Sequence, residues 1–217
     1  MLFRIGTLLR KDLLLEFREG YAINGIILYA ITCVYIVFNG LKRINPEIWN
    51  VMFWIIFLFA ASNAVFKSFS REQEAGQWYY YSILDPTDLL LSKLIYNTLW
   101  LWVVGIVIFL AKVLFFGNPV VSYGIFISAI MLGGLGVTAA FTMVASIVRY
   151  ARQAQGLMVI LSFPLIIPVF LLLNKIGLQA TGVLADSDIL TDFVLLGSID
   201  MLFVGLGLIL FPLLWRN

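Results

Sequence analysis

Along almost the whole chain, uncharged apolar runs of spanning length alternate with short charged segments. The runs are Gly20 to Leu41, Ile48 to Phe66, Leu94 to Ala111, Val113 to Val148, Gln153 to Asn174, and Phe193 to Trp215 broken only by Asp200. A bilayer core requires about 20 apolar residues per helix. The fourth run is too long for one helix, so a turn is placed at Gly117-Asn118-Pro119 and the span starts near Val120. The pattern predicts an all-α integral membrane protein with six transmembrane helices, at approximately 20–41, 48–66, 94–112, 120–148, 155–174 and 193–215. The longest connection, Lys67 to Lys93, has 27 residues and cannot hold a nucleotide-binding fold, so residues 1–217 read as a single transmembrane domain.

Residues 2–19 follow a different period. They carry seven charges, and at helical spacing Arg4, Lys11 and Arg18 form one stripe while Leu2, Ile5, Leu9, Leu13 and Phe17 form another on nearly the opposite side. That arrangement predicts an N-terminal amphipathic helix lying in the membrane interface. Charges continue to Glu19, and the apolar run that follows has no small-residue cleavage site, so a signal peptide is not expected.

Composition agrees with lipid as the solvent: 62% of the 217 residues are hydrophobic and 12% charged. The net charge of +2 is uninformative as a total, but its distribution sets orientation. With the N-terminus cytoplasmic, ten Lys and Arg fall inside (Arg4, Arg10, Lys11, Arg18, Lys67, Arg71, Lys93, Arg149, Arg152, Arg216) and four outside (Lys42, Arg43, Lys112, Lys175). Both termini are therefore expected in the cytoplasm, and the outer loop 175–192 carries Asp186, Asp188 and Asp192. The single cysteine, Cys33, excludes an intrachain disulfide or a cysteine cluster. The absence of histidine removes the commonest general base, metal ligand and haem ligand together. No P-loop, zinc-protease motif or nucleophile elbow occurs, so no catalytic residue, metal site or nucleic-acid partner is expected.

Four features invite a functional reading. The inner loop between the second and third spans runs Arg71, Glu72, Glu74, Gly76, then four aromatics from Trp78 to Tyr81, then a helix start at Asp85, Pro86 and Asp88. The aromatics read either as an interfacial belt or as a surface buried against a partner, and the neighbouring charges favour a docking element. The fifth span contains Pro164 and Pro168, which predict a kinked or locally unwound helix and raise the possibility of a hinge. In the fourth span Gly133, Gly134, Gly136, Ala139 and Ala140 predict close helix approach, within the bundle or between subunits. Asp200 is an intramembrane acid. Its insertion costs roughly 2.5–3.5 kcal/mol, offset by roughly 6 kcal/mol from the fifteen Leu, Ile, Val and Phe residues of its span. In a 193–215 helix it lies about a third of the way from the outer face, where water reaches it; a proton or substrate role is the alternative.

Taken together, the six-helix plan, the interfacial helix and the charged inner loop resemble the membrane subunit of an ABC-type exporter. Within that class the chain resembles the heme exporter protein B (CcmB) family. The likeness runs nearly end to end in length and hydropathy. At residue level it is carried by Phe69, Arg71, Gly76, Leu84, Pro86, Leu91 and Lys93 in the inner loop, and by Phe163-Pro164-Leu165-Ile166-Ile167-Pro168. Asp200 and the Trp78 to Tyr81 run depart from the family pattern. The resemblance implies an ABC-type exporter permease fold and a dimer of this subunit on two copies of a separate ABC ATPase. It also implies a haem-handling membrane protein and a periplasmic haem chaperone as neighbours, in the bacterial inner membrane. Haem and ATP would be handled by partner subunits, with no cofactor bound by this chain. Without histidine, any haem contact here would use Tyr, Met, Cys or nonpolar packing, which favours a coupling role. A permease for a lipid or drug, or a scaffold without a motor, are the competing readings.

Overall fold

A computed structural model describes residues 2–19, 21–41, 43–74, 85–148, 154–184 and 188–215. Among them are seven helices: α1 (Leu2–Glu19), α2 (Tyr21–Gly40), α3 (Pro46–Glu74), α4 (Pro86–Phe116), α5 (Tyr123–Val148), α6 (Ala154–Ala180) and α7 (Ile189–Trp215). The helices α3 to α7 contain stretches long and apolar enough to cross a membrane. In α2 the apolar stretch Asn24–Gly40 falls short of that length, so five of the six expected spans are matched by this measure. The helices also run further than the uncharged runs do. A lysine or glutamate ends an apolar run but has good helix propensity, so α3 continues past Lys67 and α4 begins at Pro86 rather than near Leu94.

The turn expected after the third span is present. Gly117 adopts φ +81° and its N–H donates to the Val113 carbonyl, while the Asn118 side chain accepts from Val120 N–H. The end of α6 closes in the same manner. Val183 N–H donates to Leu178 O and Gly182 N–H to Gln179 O, with Gly182 at φ +72°, a Schellman arrangement that satisfies the last carbonyls.

Helix α5 is the hub, touching α3, α4, α6 and α7. It carries no charge, and its glycines face three neighbours: Gly133 meets Leu173 of α6, Gly134 meets Trp102 of α4, and Gly136 meets Asp200 of α7. At each of these a Cβ would lie within 3 Å of the neighbour's side chain, so the helices approach where a methyl group is missing. Of the two expected uses of these glycines, the structure thus shows packing within the bundle. The core is densest where Trp49, Phe53, Trp54 and Phe57 of α3 meet Phe109 of α4 and Phe126 of α5. Phe126 sits 4.9 Å from Phe53 and 5.4 Å from Phe109 between ring centroids, and such pairs contribute about 0.5–1.5 kcal/mol each beyond their burial.

Polar side chains then tie the same end of the bundle. Asn50 of α3 donates to both the backbone carbonyl and the side-chain oxygen of Asn174 at 2.8 Å and accepts from Trp54 Nε1 at 3.1 Å. Its carboxamide oxygen occupies the space where Gly177 would carry a Cβ. Lys175 and Gln179 of α6 both reach Asp192 of α7, at 2.9 and 3.0 Å. Lys112, read from the sequence as an outer-loop cation, is instead a fully buried residue of α4. Its Nζ donates to the Trp49 carbonyl at 2.6 Å and lies 4.6 Å from the centre of that indole.

Gly177→Ala is expected to expel the Asn50 side chain and destabilise the bundle by about 1–3 kcal/mol, the cost of leaving buried amide groups unpaired. Gly197→Ala, at a position with open space around it, is the control expected to change nothing. Thermal unfolding of the full chain in detergent, followed by circular dichroism, measures both.

Candidate functional site

The other end of the bundle holds the residues read as a docking element. Pro86 opens α4, and its fixed ring geometry keeps Asp85 extended, at φ −70° and ψ 132°. Asp85 does not cap the helix with its side chain. The carboxylate turns instead to Arg4 of α1, at 2.9 Å. Eight residues further along both helices, Asp12 of α1 accepts from Lys93 of α4, also at 2.9 Å. Equal spacing on the two sides means that α1 and the start of α4 run side by side in the same direction over about 12 Å.

The two bridges differ in strength because they differ in solvent. The Arg4 and Asp85 side chains are more than half exposed, and such pairs are worth about 0–1 kcal/mol. Lys93 and Asp12 are 5% and 10% exposed, so each depends on the other for its solvation. Lys11 adds a second cation 3.3 Å from Asp12. The buried stripe of α1 is therefore Ile5, Leu8 and Asp12 against α4, while Leu9 and Leu13 are half-buried and Leu14 and Leu15 exposed. This seam is rotated from the apolar stripe expected from the sequence, because the ion pair with Lys93 draws a charged position inward.

The remaining candidate residues are distributed through the bundle. Arg71, Glu72 and Glu74 lie on the last turn of α3, in helix rather than in a loop, while Gly76 and the Trp78 to Tyr81 run fall outside the described residues. Pro164 and Pro168 lie within α6, which stays helical across both, so local unwinding is not what the structure shows. Both prolines are exposed on the outer surface of the bundle, beside a wholly apolar groove of about 310 Å³ lined by Phe163, Ile166 and Ile167 of α6 and Ile55, Leu58 and Phe59 of α3. A proline facing outward clashes with nothing but its own helix, and missing backbone donors there face no polar competitor.

Asp200 departs from expectation in depth and in surroundings. Because α7 starts at Ile189, Asp200 is twelfth of the 24 residues in the span Ile189–Pro212 rather than a third of the way in. It is 1% exposed, not reached by water, and neither carboxyl oxygen has a hydrogen-bond partner among the described residues. Among the described residues there is no group of three or more Cys, Asp and Glu side chains able to hold a metal ion.

Sequence reading named Lys93 only as an inner cation and a family-pattern residue and Lys112 only as an outer cation, and gave Asp12 and Asn50 no role. Asp12 carried a signal in retrospect, since it is seven residues from Ile5 and four from Leu8 on one face of the N-terminal helix. Lys93→Ala is expected to cost about 1–3 kcal/mol, because Asp12 keeps Lys11 but loses its buried donor. The double variant Asp12→Asn with Lys93→Met is expected to recover most of that loss. Protease protection of the N-terminal segment, measured beside thermal unfolding, reads the pair; equal losses in single and double variants would show the bridge to be incidental.

Comparison with known proteins agrees with this architecture. The family model described as CcmB protein matches residues 3–212. No curated protein matches the chain. The match spans nearly all of the sequence, and the chain therefore belongs to the CcmB family of membrane permease subunits of the haem exporter that serves cytochrome c maturation, a transport subunit and not an enzyme.

Proposed function

We propose that this chain is the six-span permease of an ATP-driven complex, coupling a separate ABC ATPase to haem delivery or to release of a loaded haem chaperone. Helix α2 is the sixth span: its 20 residues extend about 30 Å, the thickness of a hydrocarbon core, and Leu28, Ile31 and Ile36 face outward. Both termini and the segment 71–88 lie on the cytoplasmic side, as the Lys and Arg distribution favours. Helix α1 follows the start of α4 on that side rather than lying flat in the interface, with Leu14 and Leu15 exposed away from α4.

The observation that carries the proposal is the pair of bridges, Arg4 to Asp85 and Asp12 to Lys93. The ATPase grips Arg71, Glu72, Glu74, Gly76 and the Asp85-Pro86 corner. Displacement of that corner is passed to α1 through Arg4 and returned to α4 two turns deeper through Asp12 and Lys93. Coupling also requires two arrangements of the bundle with different affinity for the nucleotide-bound motor. Haem is substrate here, handled by a membrane partner and a periplasmic chaperone. The chain supplies no histidine, so its part is to transmit motion rather than to ligate iron. A second copy of the chain completes the permease.

Glu72→Lys and Gly76→Val are expected to separate ATP hydrolysis from cytochrome c maturation while leaving membrane insertion and ATPase association measurable by co-purification. Wild-type maturation in both variants would end the docking assignment. Sidedness is tested with Cys33→Ser as background: a thiol introduced by Gln77→Cys should react only after inner-membrane vesicles are inverted, and one introduced by Val183→Cys only from the periplasmic side. For α6, Pro164→Ala with Pro168→Ala is expected to slow maturation several-fold without lowering stability; unchanged output removes the hinge.

A further inference from the structure

The contact between α5 and α7 contains a group for which the coupling mechanism has no use. Gly136 and Asp200 are pressed together so closely that a Cβ on Gly136 would overlap Asp200 Oδ1. The carboxyl is therefore in contact with the Gly136 main chain, in an interface whose next paired positions are Gly207 and Met143. The order of these pairs shows that α5 and α7 run in the same direction, with the carboxyl at the middle of the α7 span.

Nothing described compensates a charge at this place. Helix α5 has no ionisable side chain besides Tyr123 at its outer end, which is bonded to Asn118. On α4, Lys93 holds Asp12 and lies 5.9 Å from the ring of Tyr96, a neutral phenol near the depth of Asp200, and Lys112 holds the Trp49 carbonyl; Asp88 lies beyond Leu90, which is level with Gly207, about 10 Å along the bundle from Asp200. On α6, Lys175 holds Asp192, which is itself two turns from Asp200 on α7. Asp200 is thus a buried carboxyl with no counter-ion and no hydrogen-bond donor among the described residues. A carboxylate buried without partners is far costlier than the neutral acid.

We propose that the Gly136–Asp200 contact is an intramembrane proton-binding site that latches α7 to α5. With the proton on, the carboxyl is neutral and the two helices close on each other. For the proton to leave, the seam must part far enough for a water molecule to accept it, giving a carboxylate and a hydronium ion that diffuses away. The reverse step returns the proton and closes the seam. The glycine is needed because the closed state leaves no room for a methyl group. The proposal concerns this contact alone and stands whether or not the segment 71–88 receives a motor.

The test is infrared spectroscopy of the full chain in lipid nanodiscs at neutral pH. Asp200→Asn, an isostere of the neutral acid, is expected to remove the carbonyl stretch of a protonated carboxylic acid while helix content and elution are unchanged. Loss of carboxylate bands instead would show an ionised Asp200 and overturn the site. Should that variant not fold, wild-type protein carrying carbon-13 aspartate is measured; the protonated-acid band must shift with the label, and its absence or immobility overturns the proposal equally. Gly136→Ala is expected to lose the band at neutral pH, because the added methyl parts the seam and admits water. A band of wild-type strength in folded Gly136→Ala would sever the proton from the helix contact and refute the latch.

Discussion

Polar groups inside hydrocarbon must find partners within the protein, and that requirement decides where this bundle is stiff. The partners are found near the helix ends. Asn50 with Asn174, Lys175 and Gln179 with Asp192, and Lys112 with the Trp49 carbonyl tie α3, α4, α6 and α7 at one end. Asp12 with Lys93 and Arg4 with Asp85 tie α1 to α4 at the other. Between the two, the helices are held mainly by shape: glycines of α5 receive side chains from three neighbours, with the bond from Trp102 Nε1 of α4 to the Met131 carbonyl of α5, at 2.9 Å, as a directional contact among them. The ends are thus tied chiefly by polar bonds and the middle chiefly by close packing at small residues.

Helix α6 shows the consequence most clearly. Its outer half, Asn174 to Ala180, is bonded to α3, to α7 and, through the Ala180 carbonyl, to the N–H groups of Val121 and Ser122. Both prolines precede that stretch, in the middle of the helix, and face outward beside the apolar groove shared with α3. Each proline removes one backbone bond from the turn before it, so the axial stiffness of α6 drops where side-chain anchoring also stops. The N-terminal part of α6 is still packed on its inward face, where Met158, Ser162 and Ile166 are buried, so it is held there by shape and at Asn174 by polar bonds.

Most of the fold was legible in the chain because charge and hydropathy set it. The break at Gly117, the helix start at Pro86 and the close approach at Gly136 each follow from one residue's backbone chemistry. What was not legible are the places where a charged residue is tolerated inside because another residue, distant in sequence, meets it. Lys112 looks like a loop cation until the Trp49 carbonyl is beside it, and Asp12 and Lys93 are 81 residues apart. The depth of Asp200 was misjudged for a related reason: hydropathy ends the last apolar run at Phe193, but the helix starts at Ile189, where Asp192 is neutralised by Lys175 and can be helical without being solvated. Of the docking element, the corner at Asp85 and Pro86 was readable in type but not in partner, since nothing in the local sequence points to Arg4.

The two ends of the bundle also differ in what their polar groups connect. At the Asn50 end the bonds join neighbouring spans to one another, which preserves the bundle but transmits nothing from outside it. At the Asp85 end they join the spans to a helix that is not itself one of the five long apolar helices. A force applied to α1 or to the corner reaches α4 at two points about 12 Å apart, the outer point weakly bound and solvated, the inner point buried. Two attachments along one helix transmit a tilt as well as a pull, whereas a single attachment transmits only the pull. In the proposed coupling α4 would therefore respond first, and since α4 touches α2, α3, α5 and α7, a tilt there would reach most of the bundle.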